Sequence, residues 1–384
     1  MNAPALRVAL FSGNYNYVRD GANQALNRLA DYILRQGSAL RVYSPTTDTP
    51  AFPPVGDLVS VPSVSIPGRA EYRFATGLGY AARTDLEAFA PNVIHVSSPD
   101  LLGHKAVSFA ESRNIPVVAS FHTRFETYLR YYGLGFLENA LLGIQRRFYN
   151  RCDAIFAPSE SMAAFLREQK MGHDIRIWTR GIDQGIFNPQ HRDLAWRRGL
   201  GLADDIPVIG FFGRLVLEKG LDIVSDTISI LERQQVPHQL LIVGEGPARQ
   251  MVAEKHPKAV FTGHLMREDL GRAVASMDMF LFPSVTETFG NVTLEAMACG
   301  LPVVAANATG SRDIITDGVD GRLIEPANTA AFAAAIRNYC EDEALRKKAG
   351  AAGFRKSQGY SWDAVNQAMM DGYSRAIAQH HRGG

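Results

Sequence analysis

The sequence predicts an α/β fold of two Rossmann-like, doubly wound domains facing across a cleft, and three observations carry that expectation. The chain has 384 residues, more than one hydrophobic core usually supports, so two domains of nearly equal size are expected. Short apolar, β-branched runs alternate with longer amphipathic stretches, the pattern of β-α-β units. That alternation restarts midway along the chain.

In the first half, Arg7–Phe11, Leu40–Tyr43, Val93–Val96, Pro116–Phe121, Ala154–Ala157 and Ile175–Trp178 read as buried strands. Gly21–Arg35 places Ala22, Ala25, Leu26, Leu29, Ile33 and Leu34 on one stripe, which makes it the crossover helix after the first strand. In the second half the strands are Val208–Phe212, Leu240–Val243, Ala259–Thr262, Met279–Phe282 and Pro302–Ala305. Between the sets, Gly181–Pro189 breaks the periodicity with Gly, Asn and Pro and is expected to hold the hinge. The domains are therefore set at 1–188 and 189–361, with Trp362 to Arg375 helical within a last stretch, 362–384. The Pro-rich run Thr49–Pro62 reads as a surface connector.

Composition narrows the function. Apolar residues make up 46% and charged residues 21%, ordinary for a globular chain. Forty basic against thirty-nine acidic side chains leave a net charge of +1, too balanced for nucleic-acid binding by bulk charge, so any anion site must be local. Cys152, Cys299 and Cys340 are odd in number and lack metal or redox spacing, and they read as reduced thiols. The start of the chain has no signal-peptide pattern and no window reaches membrane-span length, so a cytoplasmic protein is expected, with any membrane contact peripheral.

The strongest motif is Glu287-Thr-Phe-Gly-Asn-Val-Thr-Leu-Glu295-Ala-Met-Ala-Cys-Gly300-Leu-Pro302, directly after an apolar strand. A turn at Gly290 lets a ligand approach the backbone, and the free N–H groups that open the following helix form an anion site. Glu287 and Glu295 can accept hydroxyl hydrogens from different parts of a polyhydroxylated ligand; equally, Glu287 can complement the helix dipole while Glu295 is solvated. In Gly213-Arg214-Leu-Val-Leu-Glu218-Lys219-Gly220, Arg214 and Lys219 can meet at one diphosphate, or Lys219 can pair with Glu218 or solvent. His122 ends a buried strand, where ligands of open α/β sheets sit, although a lone histidine there is also compatible with a structural role. Gly13–Gly21 lacks dinucleotide-fingerprint spacing, but Asp20-Gly21 opening a helix can admit a diphosphate or simply cap it. Gly244-Glu-Gly-Pro247 and Gly263-His-Leu265 lie on one rim and can frame a ribose and a base, or serve as plain turns.

Taken together, these segments resemble glycosyltransferase family four, whose G-R-x4-K-G, G-x-G-P and E-x7-E-A-M-A-x-G-x-P-V-V elements occur here in order over nearly the whole chain. Asp20-Gly21, Val96-Ser-Ser-Pro99, His122-Thr123, Ala157-Pro-Ser159 and Trp178-Thr-Arg-Gly-Ile-Asp183 with Phe187-Asn-Pro189 are similar to its branch of sulfolipid synthases and glycolipid α-mannosyltransferases. The resemblance implies the GT-B fold, a last helix packing back on the first domain, and transfer with retention without a catalytic metal or other cofactor. The co-substrate it implies is a nucleotide diphosphate sugar, UDP favoured over GDP. Arg214 and Lys219 would then hold the diphosphate, with Gly21 and Gly244 near the donor. Glu287 would contact sugar hydroxyls with the backbone of Phe289, Gly290, Asn291 and Val292. Glu295 would bind the ribose, Leu265 the base, and His122 the sugar near the reacting carbon.

Asn291 stands where an apolar residue is usual, and Thr288 where glycine is frequent, which leaves the choice between a hexose and a uronic acid open. Arg124–Tyr132, Phe136-Leu137, Leu141-Leu142 and Arg146-Arg147 mix aromatic, apolar and basic residues, so a membrane glycolipid or a diacylglycerol or ceramide-type lipid is the expected acceptor; the alternative is packing between helices and a soluble saccharide acceptor. The rivals are a nucleotide-sugar epimerase and a non-enzymatic sugar-binding protein.

Overall fold

The structure, a computed structural model, describes residues 5–18, 21–66, 69–122, 124 and 135–383. The chain forms two compact units, Met1–Arg180 with Trp362–Gly384, and Gly181–Ser361. The division falls after Arg180 rather than at 188/189. The reason is local: Ile182 N–H donates to the Tyr360 carbonyl at 2.8 Å, and the Ile186 backbone lies over Gly271, where a side chain would collide. The connector thus already belongs to the second unit.

In the first unit the strands are β1 (Arg7–Phe11), β2 (Ala39–Ser44), β3 (Asp57–Ser60), β4 (Ser63–Ile66), β5 (Arg69–Ala75), β6 (Val93–Val96), β7 (Val117–Ser120), β8 (Ala154–Ala157) and β9 (Ile175–Ile177). Seven make a parallel sheet in the order β3-β2-β1-β6-β7-β8-β9, and β4 and β5 pair apart as an antiparallel ribbon. Strands β6, β7 and β8 are buried at every position, which is why they read as continuous apolar runs. The connector expected at Thr49–Pro62 instead carries β3, paired with β2 through Arg41–Ser44. As an edge strand it buries only part of Leu58 and Val59, too little to leave an apolar signature.

The helix Gly21–Arg35 buries Ala25, Leu26, Leu29 and Ile33 as expected, but Leu34 faces outward at 40% exposure while Asn23 and Asn27 turn inward. Asn27 is satisfied there, donating to the carbonyls of Tyr15 and Asn23 at 2.9 Å. The last helix runs Trp362–Gly383 and joins the first unit: Met369, Tyr373 and Ala376 are fully buried with Leu26, Leu29 and Ile33. Gln367 accepts from the Tyr32 hydroxyl at 2.7 Å.

The second unit has β10 (Val208–Phe212), β11 (Gln239–Val243), β12 (Val260–Gly263), β13 (Met279–Phe282), β14 (Val303–Ala306) and β15 (Gly321–Ile324). All pair in parallel, in the order β12-β11-β10-β13-β14-β15. Strand β15 was not expected; it is a half-buried edge strand admitted because Gly321 lies against the Val303 carbonyl, where a β-carbon would collide. No helix among the described residues is long and apolar enough to cross a membrane.

Because Met369 is completely enclosed, Met369→Ala should lower the unfolding free energy of the first unit by roughly 2–5 kcal/mol. Urea denaturation checks this, and an unchanged midpoint would show that the last helix adds nothing to that core.

Candidate functional site

Strand order in the second sheet reverses between β10 and β13, so the connections leaving their carboxyl ends diverge to opposite faces and open a crevice. Phe211, Phe212 and Phe282 form its base. Gly213, Arg214, Lys219, Glu287 and Val292 complete the lining of a cavity of about 90 Å³. Four residues singled out from the sequence, Arg214, Lys219, Glu287 and Val292, are thereby brought to one place.

Each cation there already has a carboxylate. Arg214 Nη2 lies 3.0 Å from Glu218 Oε1, with the arginine side chain largely in solvent, a pair of small energetic weight. Lys219 Nζ bonds Glu287 Oε1 across the crevice, and the Ser284 hydroxyl donates to the same oxygen at 3.1 Å. The Lys219 pair is the more buried of the two, with side chains 24% and 16% exposed. The alternative pairing of Lys219 with Glu218 is not what the structure shows.

Local backbone chemistry holds these groups. Gly220 ends the short turn Leu217–Lys219 at φ +75° and starts the helix Leu221–Arg233. A β-carbon on Gly220 would stand 2.8 Å from Pro283 Cγ, so only glycine lets the loops after β10 and β13 lie together. Gly310, at φ +87°, does the same for the Glu287–Phe289 segment, where an added β-carbon would be 2.6 Å from Glu287 Cβ. Neither Gly310 nor Ser284 stood out in the sequence, because their role comes from contacts across the chain.

Gly244 packs against the loop that carries Arg214. Its α-carbon faces the Gly213 carbonyl, and the turn it opens exchanges hydrogen bonds with Leu215 through Glu245 O and Ala248 N, both 2.9 Å. Leu265, just after β12, is partly buried against the core. Gly290, at φ +95°, opens the helix Asn291–Ala298, and Phe289 is buried beside Tyr360. Asn291 Oδ1 is enclosed with no hydrogen-bond partner among the described residues.

Glu295, one turn into that helix, is half-buried with no side-chain hydrogen bond among the described residues, and loss of solvent pushes its carboxyl up to about 7. In the first unit Gly21 opens its helix, whereas Asp20, Thr123 and 125–134 lie outside the described residues. His122 stands just beyond β7 with Nε2 2.8 Å from Ser120 Oγ and Nδ1 2.8 Å from Arg180 Nη2. Burial, the Arg180 cation and His95 hold its imidazole well below the ordinary histidine range. Of the segment expected at a membrane, Phe136 and Leu137 are exposed, Leu142 is buried, and Arg146 donates to the Gln169 carbonyl at 2.6 Å.

Two family models match the chain: Glycosyltransferase Family 4 over residues 19–185 and Glycosyl transferases group 1 over residues 206–342. A GDP-mannose-dependent alpha-mannosyltransferase of Mycolicibacterium smegmatis is 31% identical over 382 residues, 97% of this chain and 98% of that protein. The sulfoquinovosyl transferase SQD2 of Arabidopsis thaliana is 30% identical over 303 residues, 77% of this chain and 59% of its own length. Among solved structures, a sucrose-phosphate synthase from Thermosynechococcus elongatus superposes with a TM-score of 0.75 at 21% identity, covering 97% and 99% of the two chains. HepE of Anabaena, solved with UDP, does so at 0.73 and 20%, covering 96% and 99%.

The raised Glu295 carboxyl sets a pH signature. Its contribution to stability is fully present below the unfolded value near 4.5 and is lost as pH rises through about 7. Glu295→Gln should therefore leave the melting temperature at pH 5 nearly unchanged and raise it at pH 8, by at most about 3 kcal/mol in stability. Calorimetry at the two pH values reads the difference; a variant melting no higher than its parent at pH 8 refutes it.

Proposed function

This chain belongs to glycosyltransferase family 4 and is a glycosyltransferase of the GT-B fold; from that premise we propose that it transfers a hexose or uronic acid, with retention and without a catalytic metal, from a nucleoside diphosphate sugar to a glycolipid-type acceptor. The observation that carries this reading is the crevice at the switch point of the second sheet, where Arg214 and Lys219 meet the opening of the helix Asn291–Ala298. Two cations and a helix N-terminus in one concavity suit a pyrophosphate.

The Lys219–Glu287 bond gives the donor a defined mode of entry. A phosphate oxygen takes over Lys219, and the released Glu287 carboxylate accepts hydroxyl hydrogens of the sugar. As the glycosidic bond breaks, negative charge grows on the leaving diphosphate, where Arg214 and Lys219 stabilise it. The leaving phosphate then helps remove the acceptor proton on the same face. Glu295 accepts from the ribose hydroxyls, Leu265 meets the base through its main chain, and His122 lies by the reacting carbon.

Two bases remain in play on different grounds. UDP is the expectation drawn from the family resemblance, and the full-length relative named above is GDP-mannose-dependent. Thermal stabilisation by a panel of UDP- and GDP-sugars separates them, since a ligand bound only to the folded state raises the melting temperature. The lipid acceptor is supported by the name of the sulfoquinovosyl relative and by exposed Phe136 and Leu137. Protein that ignores anionic liposomes and glycosylates a soluble saccharide would remove it, and donor turned over without any acceptor would favour an epimerase.

Arg214→Ala should reduce turnover about a hundredfold, the worth of one preorganised donor at a developing charge; near-normal single-turnover rates would contradict the assignment. Glu287→Gln should separate the two tasks of the ion pair. With Lys219 freed, calorimetric titration should show the nucleoside diphosphate bound no more weakly than by the parent, while transfer falls at least tenfold.

A further inference from the structure

The first unit holds a continuous chain of polar side chains drawn from five places in the sequence. Arg180 Nη2 meets His122 Nδ1 at 2.8 Å, His122 Nε2 meets Ser120 Oγ at 2.8 Å, the same oxygen meets His95 Nε2 at 2.8 Å, and His95 Nδ1 meets the Tyr373 hydroxyl at 2.6 Å. His95 and Ser120 are fully enclosed, and Arg180 is 5% exposed. We infer that Arg180 is a positioning residue, which fixes His122 as the neutral tautomer protonated on Nε2.

The tautomer follows from donor counting. A guanidinium has only protons to offer, so His122 Nδ1 must present its lone pair. An uncharged His122 then carries its proton on Nε2 and donates it to Ser120. Ser120 accepts there, and its oxygen and the Tyr373 hydroxyl engage the two nitrogens of His95. Running the chain the other way would leave both His122 nitrogens without protons, which an imidazole does not sustain at neutral pH.

Packing holds the arrangement in place. The Trp178 ring lies edge-on to both imidazoles, at centroid separations of 5.8 Å from His122 and 6.4 Å from His95. The Arg180 guanidinium carbon sits 5.0 Å from the centroid of the same indole. Among the described residues, Arg180 and His95 are charged or titratable groups facing His122, with Tyr373 one step further. Resting on the reading that His122 belongs to the transfer site, the consequence is specific: both ring nitrogens are engaged inside the unit, so His122 is a fixed, uncharged element that keeps its Nε2 proton and relays none during transfer.

The test uses the full chain labelled with 15N-histidine and long-range 1H–15N spectra from pH 5.5 to 8.5, with the His122 signals assigned by their loss in His122→Gln. The expected result is an unprotonated Nδ1 and a protonated Nε2 across the whole range. In Arg180→Met, His122 should titrate within that range or populate both tautomers, and Arg180→Lys should restore the single form. Turnover in Arg180→Met should drop ten- to a hundredfold with the donor KM changed less than twofold, as for a mispositioned group. A wild-type His122 that is protonated at pH 7 or carries its proton on Nδ1 overturns the inference, as does an Arg180→Met spectrum identical to the parent's. Should Arg180→Met fail to fold, the wild-type spectrum alone still decides. Full transfer activity in His122→Gln alongside the expected spectra would instead overturn the placing of His122 in the transfer site.

Discussion

The ion pair between Lys219 and Glu287 is the interaction on which the second unit's site depends. It spans the one place where neighbouring strands send their connections to opposite faces of the sheet, and it ties those two connections together. Gly220 and Gly310 exist in service of that closure, each leaving out a side chain where the backbones must pass. Its partial burial matters as well. In a screened setting such a pair is worth little, but in a crevice lined by Phe211, Phe212 and Phe282 the two charges attract each other more strongly.

Around its crevice the second unit leaves Asn291 Oδ1 enclosed and the half-buried Glu295 carboxyl without a side-chain partner among the described residues. Such groups cost free energy in the empty protein and reward a ligand that supplies donors. The first unit instead satisfies its interior histidines completely, at the expense of recruiting Tyr373 from the far end of the chain. Burial makes both histidines poor bases, with His95 pushed down to about 3, so the network is one of fixed dipoles rather than mobile protons.

Much of this was legible beforehand. Strands buried on both faces announce themselves as apolar runs, so the cores of both sheets could be read residue by residue, as could the glutamate-rich turn after Phe282. Edge strands could not: Asp57–Ser60 and Gly321–Ile324 are made by backbone pairing with a neighbour, and pairing leaves no periodic trace in half-buried side chains. Gly244 was visible as a turn, but whether its bare α-carbon faced a ligand or another loop depended on where the Arg214 loop lay, and it faced the loop. Tyr373 carried no motif, and Arg180 stood in the Trp178–Asp183 motif without a hint of its partner, since nothing near either one in sequence points to a histidine on another strand.

The sequence by itself determined the two α/β units, the family, and which cations and carboxylates stand at the carboxyl ends of β10 and β13, because hydrophobic periodicity and glycine placement are local properties of the chain. Only the tertiary structure decided the distant partners: Lys219 with Glu287, His122 with Arg180. The reason is that pairing and desolvation depend on distance in space and on what excludes water, and residues sixty positions apart acquire both only once the sheets have formed.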